Sequence, residues 1–470
     1  MIPNVLAQRY ASAEMRALFD PVNRIRIERE LWLAVLQTQA ELGMPLDDGV
    51  VDDYRAVIDK VDLASIEARE RVTRHDVKAR LEEFNALAGH EDVHRAMTSR
   101  DLTENVEQVL VARALCLVDE RTVALLARLA ERARELVDMV IVGRTHNVAA
   151  QPTTVGKRLA QVGEELLAAH AQIRSLRERA ALRGIKGPVG SQQDQIDLLG
   201  SATAAARLDA AVARHLGFDR TLDAVGQVYP RSLDYAVVAG LLQLASGPAN
   251  LALTVRLMAG NDLATEGFRP GQVGSSAMPH KMNTRSCERI NGLHSILKGH
   301  LTMAADLTGN QWSEGDVSCS VVRRVVIPDA FFALDGLMET TFAVVADFGV
   351  YPGVIAAELD RYGPFLATTG LLLHAVRAGM GREEAHEVIK EHAVAAALRL
   401  RDGTGDGSEL VRRLADDPRF PGTDEALAPV VAEVGSAVGA VSDQVESFAR
   451  RVDDLVAGSP DSDYRGADII

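Results

Sequence analysis

Thr98-Ser99-Arg100-Asp101-Leu102-Thr103-Glu104 opens a run that meets neither glycine nor proline until Gly143. Thr98, Ser99 and Asp101 are residue types whose side-chain oxygens accept from the free N–H groups of a first helical turn. Roughly 40 uninterrupted residues predict a helix about 60 Å long at 1.5 Å per residue. Helices of that length belong to bundles and coiled coils rather than compact α/β domains.

Working outward, the same pattern repeats. The helix is expected to end at Gly143-Arg144-Thr145-His146-Asn147, and Gln151-Pro152-Thr153-Thr154 to start another that runs to about residue 183. Ser232–Ala259 reads as an apolar helix, and 289–310 and 328–348 as two more. The uncharged run 236–255 could span a bilayer on length alone, but Gln243, Ser246, Asn250 and Thr254 form a polar stripe along it, with Gly247-Pro248 inside. That stripe marks a buried helix of a large soluble bundle, not a membrane span. About five long helices with polar corners therefore form the middle of the chain, with no fixed-period repeat. Shorter helices precede them, such as 28–42 closed by Gly43, and shorter ones follow. The expected fold class is all-α: a long-helix bundle (104–347) flanked by two smaller helical domains (1–103 and 348–470). The tail 459–470 is polar and is expected to fray at its end.

Composition fits. Of 470 residues, 47% are apolar and 25% charged, a soluble balance, and only 4% are aromatic. A net charge of -15 excludes a non-specific nucleic-acid binder, which needs a basic face. Cys116, Cys287 and Cys319 are too few and too scattered for a disulfide frame or a metal site, which points to a reducing cytoplasm. Met1-Ile2-Pro3-Asn4-Val5 has neither the basic region nor the apolar core of a signal peptide.

The chemistry gathers in the stretch 274–290, Gly-Ser-Ser-Ala-Met-Pro-His-Lys-Met-Asn-Thr-Arg-Ser-Cys-Glu-Arg-Ile, behind the breaker run Arg269-Pro270-Gly271. The Ser275 and Ser276 hydroxyls, an imidazole, an ammonium, an amide and the carboxylate of Glu288 lie within it, in what reads as a mobile loop handing over to a helix. Other polar clusters have bland readings when taken singly. Arg9-Tyr10 fits a helix end with a packed ring, Arg74-His75-Asp76 a structural histidine beside charges, and Thr98 with Ser99 a helix cap. Cys287 fits a packed thiol better than a nucleophile.

Gly274-Ser275-Ser276-Ala277-Met278-Pro279-His280-Lys281-Met282-Asn283 resembles the signature loop of the fumarase/aspartase superfamily, and His280 before the lysine resembles its adenylosuccinate lyase branch and the related cycloisomerases. Arg9-Tyr10, Arg74-His75-Asp76, Thr98-Ser99-x-Asp101, Arg144-Thr145-His146, Gln227 before Arg231, and Ser320 with Arg324 agree in order. The resemblance implies β-elimination of fumarate from adenylosuccinate, giving AMP, and from succinylaminoimidazole carboxamide ribotide. It implies Ser275 as general base, His146 as general acid tuned by Glu288, and Lys281 and Asn283 on the succinyl carboxylates with Thr98, Ser99 and Ser276. Arg9, Tyr10, Arg74, His75, Asp76, Gln227, Ser320 and Arg324 would hold the nucleotide. It also implies a homotetramer with shared sites and no metal or redox cofactor.

Physical chemistry supports most of these roles. A carbanion beside a carboxylate needs fixed cations and N–H donors, and a departing amine needs a proton from a group titrating near neutrality. Ser275 is the exception, because a free hydroxyl is far too weak an acid; a closing, water-excluding loop would have to activate it. Two positions depart from the family pattern: Thr284 stands where many relatives have Pro, and Gly315 where many have Arg, with Arg323 the candidate replacement. A relative acting on another succinyl or muconate-type substrate, or a non-catalytic bundle scaffold, are the other readings; the presence of Ser275, His146, Lys281 and Asn283 together argues against the scaffold.

Overall fold

The computed structural model describes residues 4–268, 271–316, 318–459 and 463–467; Arg269 and Pro270 of the breaker run lie outside them. The long elements are helices α1 (Pro21–Glu41), α2 (Asp76–Ala88), α3 (Ser99–Glu135), α4 (Val155–Glu178), α5 (Ser232–Ala259), α6 (Arg285–Asp306) and α7 (Ser318–Asp347). α1 starts earlier than the reading of 28–42, because Asp20 caps it, accepting from Val22 N at 2.8 Å, and Pro21 suits a first helical position.

α3 organises the fold. Leu102, Val106, Val109 and Leu110 of its first half are buried with Trp32, Tyr54, Phe84 and Leu208 in one apolar core. Leu125, Leu126, Leu129 and Ala133 of its second half are buried with residues of α4 to α7, among them Leu166, Leu244, Leu297 and Phe331. The three- and four-residue spacing keeps both sets on core-facing stripes of a single rod. α5 lies against α4, α6 and α7, so the apolar run that matches a membrane span in length is a bundle helix with 61% of its most apolar stretch buried. A third core, with Leu371, Ala385, Leu410 and Leu427, is built from the shorter helices near the C-terminus.

Three expectations need correction. α3 ends at Glu135, not at Gly143. Val140–Thr145 (β1) and Val148–Thr154 (β2) pair as an antiparallel hairpin, Val140 opposite Thr154 and Thr145 opposite Val148. The β-branched run Val140-Ile141-Val142 favours a pleated strand, and His146 and Asn147 turn the chain at φ 52° and 60°, as a two-residue hairpin loop requires. Gln151-Pro152-Thr153 is therefore strand; only Thr154 belongs to the next helix, as a cap accepting from Lys157 N at 3.1 Å. α6 begins at Arg285, and α7 begins at Ser318 and runs through Pro328. The cost of an interior proline, about 3 kcal/mol, is offset by the buried residues on both sides of it, from Cys319 and Val326 to Val345.

α7 also ties down both ends of the chain. The Asp335 carboxylate accepts from Ser12 N at 2.5 Å. One turn on, Glu339 accepts from Tyr464 OH at 2.8 Å and from Ala467 N at 2.5 Å, and the Arg121 guanidinium covers the Tyr464 ring. The described part of the tail, 463–467, is docked, and the end expected to fray lies outside the described residues. Burial raises the Asp335 carboxyl from its usual 3.8 to about 7, with Ser12 and Arg121 opposing and Glu339 assisting. The folded chain therefore keeps a proton that the unfolded chain releases near its ordinary value, and stability falls as pH rises between the two. Asp335→Asn keeps an acceptor for Ser12 and removes this titration. Thermal melts should show less loss of stability between about pH 5 and about pH 8 in the variant than in the parent; equal losses would show that the carboxyl ionises as freely folded as unfolded.

Candidate active site

A buried charge network joins α3, α5 and α7. Glu104 lies 2.9 Å from Arg231 Nη1 and 3.5 Å from Arg323 Nη1, and accepts from Tyr229 N at 3.3 Å. Arg323 reaches Asp234 at 2.6 Å and Glu107 at 2.8 Å, and donates to Tyr229 OH, which in turn donates to Asp234 at 2.7 Å. Glu104, Arg231, Asp234 and Arg323 are all buried. Arg323 is fully engaged here, which rules it out as the replacement for the family arginine at Gly315. Close by, Asp101 accepts from Thr98 N at 2.8 Å, Lys186 N at 2.9 Å and Gly187 N at 3.0 Å, and pairs with buried Arg183, fixing the corner 183–187 against the start of α3.

Beside this network lies a cavity of about 450 Å³. His75, Asp76, Gln227, Ser320 and Arg324 line it together with Ser99, so five of the anticipated nucleotide-side residues meet one from the succinyl side in one place. His75 is the N-cap of α2, its Nδ1 accepting from Lys78 N at 3.2 Å, which presents Asp76 at the cavity. Burial pushes the Asp76 carboxyl up, but Arg80, the Val77 N–H and Arg324 more than offset this and hold it below its ordinary value. Arg324 Nη2 lies 3.2 Å from Asp76. The cavity also holds charged residues that sequence reasoning missed, among them Arg24, Glu28, Arg80 and Arg100. Each lies on the cavity-facing side of a helix, and no sequence period distinguishes such a charge from a solvated one.

The remaining candidates lie elsewhere on the chain. Thr98 caps α3 outside the cavity lining, and Arg74 forms the exposed left-handed residue before His75. Arg9 ends the helix Val5–Arg9, and Tyr10 rests on Gly336, where an added Cβ would lie 2.6 Å from its Cβ. The Tyr10 ring faces Arg289 of α6 at 5.8 Å. His146 sits exposed at the hairpin tip, and no hydrogen bond joins it to Glu288 within the chain.

Ser275, Ser276, Lys281 and Asn283 lie on the loop 271–284. Ser275 Oγ accepts from Ala277 N at 3.3 Å and Met278 N at 3.1 Å, and Asn283 Nδ2 donates to Gly274 O at 2.8 Å. At Gly274 an added Cβ would lie 2.1 Å from Lys281 O, so glycine is what allows the loop's two ends to touch. Cys287 is wholly buried, and burial holds its thiol well above the usual value, so it is a packing residue.

Residues 22–297 match the family model described as Lyase, and residues 364–448 the one described as Adenylosuccinate lyase C-terminus. The chain is 33% identical to adenylosuccinate lyase of Saccharomyces cerevisiae, over 95% of this chain and 93% of that protein. It belongs to the adenylosuccinate lyase family.

The enzyme of that name from Schistosoma mansoni is 31% identical over the same shares. Among solved structures, fumarate lyase from Mesorhizobium sp. BNC1 superimposes with a TM-score of 0.80 at 19% identity, over 94% of this chain and 99% of that one. The 3-carboxy-cis,cis-muconate lactonizing enzyme from Pseudomonas putida does so at 0.82 and 18%, over 97% and 100%. At these identities the two establish the shared all-α bundle fold.

A further member of the loop architecture is Glu266, whose oxygens accept from Ser286 N and Cys287 N, both at 2.9 Å. It caps α6, since Thr284 makes no side-chain cap, and so fixes the helix carrying Glu288 and Arg289. Glu266→Ala should cost about 0.5–2 kcal/mol in chemical denaturation, the worth of a lost N-cap, and speed proteolytic cleavage within 271–284. Unchanged stability and cleavage would show that the cap does not anchor the loop.

Proposed function

We propose that this chain is an adenylosuccinate lyase, a carbon–nitrogen lyase that removes fumarate from adenylosuccinate to leave AMP. The observation that carries this reading is the identity of about one third that extends over 95% of the chain. The succinylaminoimidazole carboxamide ribotide of purine biosynthesis offers the same succinyl-amine bond and is proposed as a second substrate. The protein's place is proposed to be the cytoplasm.

The reaction needs a base at the carbon beside a carboxylate, an acid at the leaving nitrogen, and positive charge where the carboxylate becomes doubly charged. Ser275 is assigned the first role, His146 with Glu288 the second, and Lys281 and Asn283 the third, assisted by Ser276, Thr98 and Ser99. His75, Asp76, Gln227, Ser320 and Arg324 are assigned to the nucleotide in the cavity, with Arg9, Tyr10 and Arg74 at its phosphate. The Ser275 hydroxyl accepts two backbone N–H groups in the loop, an arrangement that favours developing negative charge on that oxygen.

Two observations support sites shared between subunits. Four arginines of the cavity (Arg24, Arg80, Arg100, Arg324) face four carboxylates (Glu28, Glu70, Asp76, Glu107), so one chain's cavity has no surplus positive charge for a substrate with a phosphate and two carboxylates. The long helices also leave apolar side chains in solvent, among them Leu253, Leu257, Val321 and Val325. A homotetramer covers such faces and brings the loop and the hairpin tip of neighbouring chains to each cavity.

Ser275→Ala and His146→Ala should each abolish adenylosuccinate cleavage, followed by ultraviolet absorbance, while sedimentation stays that of the parent oligomer. Subunits of the two inactive variants, mixed and reassembled, should recover part of the activity, because some cavities then receive an intact serine and an intact histidine. Turnover near that of the parent in either variant would remove its acid or base role, and a mixture as inactive as its components would remove the shared site.

A further inference from the structure

Glu28 is the one carboxylate of the cavity wall with no exposure to water, and neither of its oxygens has a hydrogen-bond partner. Arg80 Nε stands 2.9 Å from Glu28 Oε2, but off the direction of its N–H, so that nitrogen is unpartnered too. A third open group, the buried Thr103 Oγ1, lines the same cavity from α3. Buried polar atoms are almost always satisfied, and three such groups lining one cavity mark a place where a ligand or ordered water completes the bonding. Two other carboxylates of the wall are satisfied: Asp76 is bonded by Val77 N and Arg324, and Glu107 is paired with Arg323.

The geometry points to this carboxylate, guanidinium and hydroxyl as the subsite for the vicinal 2′,3′-hydroxyls of the substrate's ribose. The inference rests on the proposed function and narrows it. A phosphate or succinyl carboxylate only accepts hydrogen bonds, and Glu28 would repel it. A sugar hydroxyl both donates and accepts, so one pair of hydroxyls can donate to the two Glu28 oxygens while accepting from Arg80 Nε and Thr103 Oγ1. Carboxylates take ribose hydroxyls in the same manner in dinucleotide sites. Arg80 Nη2 is already 3.2 Å from Asp76 Oδ2, so turning the guanidinium further onto Asp76 opens Glu28 to the ligand.

The test compares adenylosuccinate with its 2′-deoxyribose and 3′-deoxyribose counterparts on the full-length protein. The parent should cleave the ribose form better than either deoxy form by roughly 10- to 100-fold in kcat/KM, the range for a hydrogen bond to a charged group. Most of the difference should lie in KM, since the hydroxyls are remote from the breaking bond. Glu28→Gln and Thr103→Val should bring the ratio within a few-fold of unity by losing affinity for the ribose form. A parent that cleaves ribose and deoxyribose forms equally overturns the subsite, without recourse to any variant. Variants that keep the full discrimination also overturn it. A parent that cleaves none of these nucleotides overturns the proposed function instead, so the two failures are distinguishable.

Discussion

Arg323, held by Asp234, Glu104 and Glu107, is the constraint on which the arrangement depends. Its guanidinium is almost fully buried on α7 and bonded to carboxylates from α3 and α5, so three rods of the bundle are registered at one point. A buried ion network of this kind adds little net stability, because desolvation of each charge offsets most of the attraction, but removing one partner strands the others. What it gives is register. Slide any of the three helices by a turn and a buried charge loses its partner, whereas the leucine and alanine stripes around it would tolerate the slip. The cavity is adjacent, and Glu107 belongs to both, so the positions of Ser99, Ser320 and Arg324 follow from the same network.

The long-helix bundle was legible because a period of three to four in a run without breakers has few other solutions. The hairpin was not, because Val140-Ile141-Val142 continues an apolar pattern that fits the end of a helix equally well. What separates the two is β-branched propensity over three residues and the readiness of His146-Asn147 to take left-handed angles, both weak signals beside a run of about 40 residues. The consequence for function is direct. A histidine at the tip of a two-residue hairpin is presented outward from the bundle, where a histidine at a helix corner would lie against it.

The candidate site was legible in its parts and not in its grouping. Motif residues sort into a cavity set, a loop set and a hairpin set, and order along the chain does not predict that sorting. Arg24, Glu28, Arg80 and Arg100 carried no signal at all, since a charged residue on a helix usually faces water. Only the packing of α1, α2 and α3 against one another turns these positions inward. Glu266 was hidden for a related reason: its role as the cap of α6 is filled from outside that helix, across the whole loop.

Gly315 shows how a departure from a family pattern can be physically coherent. Gly226 and Gly315 face each other's segments: a Cβ on Gly226 would lie 2.2 Å from Glu314 O, and one on Gly315 would lie 2.7 Å from Gln227 Cβ. Gln227 N donates to Glu314 O at 2.6 Å, so the two segments cross backbone to backbone. An arginine at 315 would have to push Gln227 out of the cavity wall, losing one polar contact to gain another. With the segments crossed, the cavity's guanidinium groups are those of Arg24, Arg80, Arg100 and Arg324, each already beside a carboxylate. A cation held by a buried partner is less free to follow an anion than one on a loop, and it costs less entropy to use. With glycine at 315 the wall is charge-balanced, and its open valences favour neutral hydroxyls over a second anion.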